Sequence, residues 1–191
     1  HLREAIGVAI PAGDPDLLVN LYLDIAAMFL RTGATKAAIA EVEEGINLVT
    51  SGEGSDALGG PKSLWRLVVR LAELYRALDK NSSALLLALK ALRHAERARS
   101  ALGLSRVHSI LANLYEKEHH PDKAAHHRAA AVDQMRQLGD RRSTAELLLA
   151  GASPTARFQR VELAQGLAEA QTLAEEIDWK EGAKKAADLK S

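Results

Sequence analysis

Large and small apolar residues recur along the chain in one pattern, three times over. Ile25-Ala26, Phe29, Ala38 and Gly45 form the first copy, Leu71-Ala72, Tyr75, Ala84 and Ala91 the second, and Leu111-Ala112, Tyr115, Ala124 and Ala131 the third. In each copy the aromatic precedes one small residue by nine positions, and another small residue follows seven later. Seven residues are two helical turns, and nine leave room for the end of one helix and a short turn. Each copy therefore predicts a helical hairpin. Small residues let a neighbouring helix backbone approach, and the aromatic fills the space beside them.

The punctuation between the apolar runs predicts the remaining elements. Leu2, Ile6 and Ile10 mark a helix that Pro11-Ala12-Gly13 stops, and Asp14-Pro15 caps the next, over residues 16–31. Gly33 turns the chain into a helix over 35–49. Residues 50–60 are rich in Gly and Ser and read as a linker, with Pro61 opening a helix over 62–78. A helix over 83–101 follows, with Asn81 or Ser82 as its cap. Its expected apolar stripe is Leu85, Leu86, Leu89 and Leu92, and Gly103 is expected to break it before a helix over 104–118. Pro121 opens a helix that Gly139 ends. Beyond it, 142–150 is a short helix cut by Gly151 to Pro154. Ser153 or Thr155 caps a helix over 156–177, and 179–190 is amphipathic.

These residues resemble the tetratricopeptide repeat over 16–138. The family's loop glycine is present only as Gly33, with Asp79 and His119 in its place elsewhere. Arg128 stands where the family prefers a large apolar residue and where the other copies carry Val42 and Ala88. The family's terminal proline is absent. The aromatics are 46 and 40 residues apart, against a usual period of about 34, which longer second helices would explain. The resemblance implies an all-α fold, a right-handed α-solenoid of stacked antiparallel helical hairpins forming one array. Its parts would be the end of a preceding helix (1–12), repeats over 14–50, 61–101 and 103–138, a degenerate repeat over 141–177, and a capping helix or fifth repeat over 178–190. It also implies a non-catalytic scaffold for protein–protein interaction. Long-period arrays of this kind look like the tails of large bacterial signalling proteins, so a cytoplasmic segment of a longer protein is expected. The start at His1, already inside a helical pattern, supports that expectation.

Composition narrows the chemistry. Apolar residues make up 47% of the 191 positions and aromatics only 4%, which favours helices packed through small residues. The absence of Cys excludes disulfides and thiolate metal sites. No apolar run reaches the ~18–20 residues of a membrane span. The 25 basic and 25 acidic residues balance, but unevenly along the chain: 3 basic and 9 acidic over 1–60, 10 and 3 over 61–110. That asymmetry predicts one basic face, and a nucleic-acid binder through 61–110 is the alternative it would support.

Candidate chemistry is sparse. Gly54 and Gly59 followed by Lys62-Ser63 imitate a phosphate loop, but Gly60-Pro61 displaces the lysine and no strand precedes it. His119, His120, His126 and His127 gather at one helix start, and His120, Asp122 and His126 would suit a metal-dependent enzyme. Their spacing matches no zinc signature, so the turn and a solvent-facing helix are the better reading. No nucleophile elbow is present, and no cofactor is implied. Trp65 and Trp179 read as packing residues. The informative surface is the groove lined by the first helices. If the family register holds, Arg66, Arg70 and Arg76 of the second copy and Arg106, Asn113 and Lys117 of the third face it. The family's carboxylate clamp is incomplete, because Leu23 and Ala27 stand where its Lys and Asn would. The expected partner is a protein or peptide with acidic groups or a C-terminal carboxylate, or another domain of the same chain, and not a membrane.

Overall fold

A computed structural model of the chain describes residues 2–12, 14–51, 62–151 and 160–190. Readings that fall on Gly13, on the 52–60 linker with Pro61, and on the Ser153-Pro154-Thr155 cap lie outside the described residues. Ten helices are described: α1 Leu2–Ala12, α2 Pro15–Arg31, α3 Thr35–Ser51, α4 Leu64–Ala77, α5 Asn81–Arg97, α6 Ala101–Lys117, α7 Pro121–Leu138, α8 Arg141–Gly151, α9 Arg160–Glu176 and α10 Lys180–Lys190. They form two compact units, His1–Gly103 and Leu104–Ser191.

The turns share one construction. Gly33, Asp79, Arg99, His119, Gly139 and Asp178 all adopt positive φ, from 49° to 74°. The residue after each donates its N–H to the carbonyl five positions back: Ala34 to Phe29, Lys80 to Tyr75, Ser100 to Ala95, His120 to Tyr115, Asp140 to Met135 and Trp179 to Ala174. This is the Schellman closure, which satisfies the last carbonyls of a helix and reverses the chain in three residues. Asp79 and His119 thus do the work of the loop glycine in a conformation that costs an L-residue roughly 1–2 kcal/mol.

Two boundary readings are corrected by these turns. The helix expected over 83–101 ends at Arg97, because Arg99 reverses the chain, and Gly103 lies inside α6. A Cβ on Gly103 would stand 2.9 Å from Trp65 Cδ2 and 3.1 Å from Ala95 Cβ, so the glycine serves close packing and breaks nothing. Asn81 is the first residue of α5; the capping position is Lys80, whose side chain makes no capping bond. By contrast Asp14 caps α2 as read, its Oδ1 accepting from the N–H groups of Asp16 and Leu17 at 3.0 Å each.

In the first unit α2 packs on α3 and α4 on α5, and α4 also touches both α2 and α3. Helices joined by three-residue reversals and packed along their length are antiparallel hairpins. The small residues of the pattern lie at their contacts: Ala38, Ala84 and Ala91 are wholly buried, with Ala26 and Ala72 opposite. Gly45 is held to a hydrogen by Tyr22, whose Cγ would lie 2.6 Å from an added Cβ. Among the described residues the buried aromatics are Tyr22 and Trp65, whereas Phe29, Tyr75 and Tyr115 are half-buried at helix ends. The apolar stripe of α5 is also corrected. Its buried face is Ala84, Ala88, Ala91 and Ala95, while Leu85, Leu89 and Leu92 are half-buried and Leu86 is 71% exposed. A close contact with α4 admits alanine, and the larger leucines are displaced to the flanks.

In the second unit α6 and α7 pair across Ser105, whose buried hydroxyl donates to the Ala131 carbonyl at 3.0 Å. Asp140 caps α8, accepting from the Ser143 N–H and hydroxyl, and these bonds hold its carboxyl below the usual range. A small core of Ala145, Leu149, Leu167, Ala170 and Ala186 joins α8, α9 and α10, with Leu148, Leu173 and Trp179 packed against it. Trp179, just ahead of α10, covers Gly182 of that helix, and the Arg142 guanidinium stacks 3.6 Å over the ring.

Candidate functional site

The exposed faces of the first helices come first. On α4, residues 66, 70 and 73 lie one above another, opposite the buried Val68 and Leu71 side. Arg66 donates through Nη1 to Asn20 Oδ1 of α2, and Asp16 of α2 accepts from the Ser63 hydroxyl. Arg70 Nη1 pairs with Glu73 Oε2 at 2.9 Å on its own helix. Its Nε is buried and has no hydrogen-bond acceptor, and the same is true of Arg76 Nε. Arg76 stands a third of a turn away from Arg70, on the flank shared with Val69 and Ala72. In the second unit Arg106, Asn113 and Lys117 are exposed along α6, with Ser109 half-buried between them.

The basic residues of 61–110 do not make one face. Within the first unit Arg66 and Arg70 lie on the open side of α4, whereas Lys90, Arg93 and Arg97 lie on the outer side of α5. The two helices bury their facing sides against each other, so their charged sides point apart.

The histidines form a different cluster from the one read in sequence. His119 is the exposed left-handed turn residue and His120 the exposed first-turn neighbour of Pro121. His127 is half-buried between α6 and α7, where its Nδ1 lies 2.9 Å from Nδ1 of His108. The Tyr115 ring stacks on His127 at 5.4 Å and 3°, His126 meets it edge-on, and Lys123 lies over Tyr115. Only one proton fits between two facing Nδ1 atoms. Burial, followed by the charges of His108 and His126, pushes His127 down to about 4, so His127 is neutral at ordinary pH. Among the described residues no group of three His, Cys, Asp or Glu side chains could hold a metal. His108 was missed in sequence because its partner lies 19 residues away across the hairpin; the 3.6-residue period shows only neighbours on one helix.

Arg128 is accommodated by a partner. Its guanidinium pairs with Glu116 of α6, and its Cδ lies 3.5 Å from where a Cβ on Gly151 would stand. The ion pair and the stem packing replace the apolar contact that Val42 and Ala88 make elsewhere.

No protein-family model matches the sequence, and no curated protein matches it. Solved structures do. BtubC (BKLC) from P. vanneervenii is similar with a TM-score of 0.66 at 14% identity, over 98% of this chain and 84% of that one. A kinesin light chain structure from Podosopora anserina with nearly identical TPR-like repeats is similar with a TM-score of 0.50 at 13% identity, over 93% and 94%. The chain has the all-α fold of TPR-like helical repeats. At these identities the likeness concerns the fold. No helix among the described residues is long and apolar enough to cross a membrane.

Proposed function

We propose that this chain is a protein-interaction scaffold that holds an acidic or carboxylate-bearing segment of a partner on the exposed faces of its first helices. The observation that carries the reading is Arg70. One end of its guanidinium is fixed by Glu73, while its buried Nε–H has no acceptor. A buried donor without an acceptor is costly, and a turn of the partly exposed side chain toward a ligand carboxylate would satisfy it with a charge-assisted bond. Arg66 beside it is oriented by Asn20, and Arg106, Asn113 and Lys117 give the second unit its own polar row on α6. The hairpin fold supports a binding role because such stacks present long side-chain rows on rigid helices. A non-catalytic part in a larger cytoplasmic signalling or regulatory protein fits this reading.

The test is charge reversal of Arg70→Glu together with Arg106→Glu. The helical circular dichroism should be unchanged and capture of the native partner from lysate lost. Capture at the wild-type level by the double variant would show that these faces do not bind it.

A further inference from the structure

The first unit carries an opening on the side of α4 away from Arg66 and Arg70. It is a cleft of about 280 Å³ between α3 and α5, with α4 as its base. Its apolar surface comes from Ile46, Val68, Leu71 and Leu87. Glu43, Asn47 and Lys90 form its polar edge, and Glu43 is engaged by the Tyr75 hydroxyl at 3.2 Å.

The repeat spacing relates the cleft to the other hairpins. Steps of 46 and 40 residues make Tyr22, Val68 and His108 equivalent, and likewise Leu87 and His127. In the first hairpin the position is filled by the buried Tyr22, and in the third by the stacked His108 and His127. The second hairpin has the smaller Val68 and Leu87 in these places, and both line the cleft.

Volume and charge identify an occupant. Small-molecule pockets run to roughly 300–1,000 Å³, so this cleft suits one inserted side chain better than a whole metabolite. Its floor is aliphatic and its rim is polar, from Glu43, Asn47 and Lys90. Beside it Lys90, Arg93 and Arg97 follow one another along the exposed side of α5, and none makes an ion pair with a described residue. Three successive cations match a run of acidic residues, not a single terminal carboxylate. We infer that this cleft docks a partner peptide through one aliphatic side chain, with the acidic residues that follow it lying along Lys90, Arg93 and Arg97 of α5.

The experiment uses the whole chain, labelled with ¹⁵N, and a capped Leu-Glu-Glu-Glu peptide as probe. Amide shifts should gather at Ile46, Val68, Leu71, Leu87 and Lys90. Replacing the probe's Leu by Ser should weaken binding at least about tenfold, the worth of burying one aliphatic side chain. Lys90→Glu with Arg93→Glu, both at exposed positions, should weaken it by a similar factor without loss of helical signal. The inference is overturned if the Leu and Ser probes bind alike, if the charge reversal has no effect, or if no shift appears. Shifts confined to Arg66 and Arg70 would overturn it while leaving the α4 face intact as a binding surface.

Discussion

The hairpin of α4 and α5 and the hairpin of α6 and α7 share a register and a turn, yet they are filled differently. The first closes on alanines, with Val68 and Leu87 beside them; the second closes on Ala124 and Ala131, with the His108–His127 pair and the Arg128–Glu116 ion pair in the equivalent places. The residue after the repeat aromatic shows the difference most clearly. It is Arg76 in one hairpin and Glu116 in the other, and only the second can accept an arginine across the interface. A polar residue is thus tolerated inside such a hairpin when its partner is supplied by the facing helix.

Moving Arg128 into the other hairpin should break the comparison hardest. Ala88→Arg would bury a cation in the register of Arg76, and we expect a loss of about 3–5 kcal/mol in urea unfolding. Adding Arg76→Glu should restore a good part of it; no restoration would mean that 76 and 88 are not register equivalents of 116 and 128. Next in size, Ala124→Leu should cost about 1–3 kcal/mol by overpacking the contact of α7. An unchanged melting temperature would place Ala124 off the interface.

Acid should separate the hairpins more gently. His127 is held below its unfolded value, so above pH ~6.5 it is neutral in both states and costs nothing. Between about 6.5 and its folded value of about 4, the unfolded chain binds the proton and the folded one does not, so stability falls as the pH falls. Replacing His108→Val and His127→Leu, the residues of the other hairpin, should flatten this part of the stability–pH curve. A slope equal to that of the parent would assign the acid sensitivity to other groups. The smallest effect concerns the turns. His119→Gly should stabilise by up to about 1 kcal/mol by removing a left-handed L-residue, and Gly33→Ala, with no clash around its Cβ but φ of 74°, should destabilise by a similar amount.

Much of the fold was legible because it depends on spacing alone. The nine-and-seven intervals of small residues located three hairpins, since helix geometry turns such intervals into faces without reference to the rest of the chain. Asp14-Pro15, Pro121 and Gly139 gave helix ends for the same local reason. Arg99 as a turn and Gly103 as a packing residue were not legible. A left-handed arginine has no sequence signature, and the need for glycine at 103 comes from Trp65, 38 positions earlier.

The candidate site divides in the same way. Sequence spacing led to the expectation that Arg66, Arg70, Arg76, Arg106, Asn113 and Lys117 line one groove. Helix periodicity by itself reaches only as far as the row shared by Arg66 and Arg70 on α4 and the row shared by Arg106, Asn113 and Lys117 on α6. Tertiary structure alone tied Arg66 to Asn20, left the Arg70 Nε–H without an acceptor, put His127 against His108, and opened the cleft beside Val68 and Leu87. Those outcomes depend on the distance between helices and on the volume that facing side chains leave between them. The periodicity of one strand of sequence carries neither quantity.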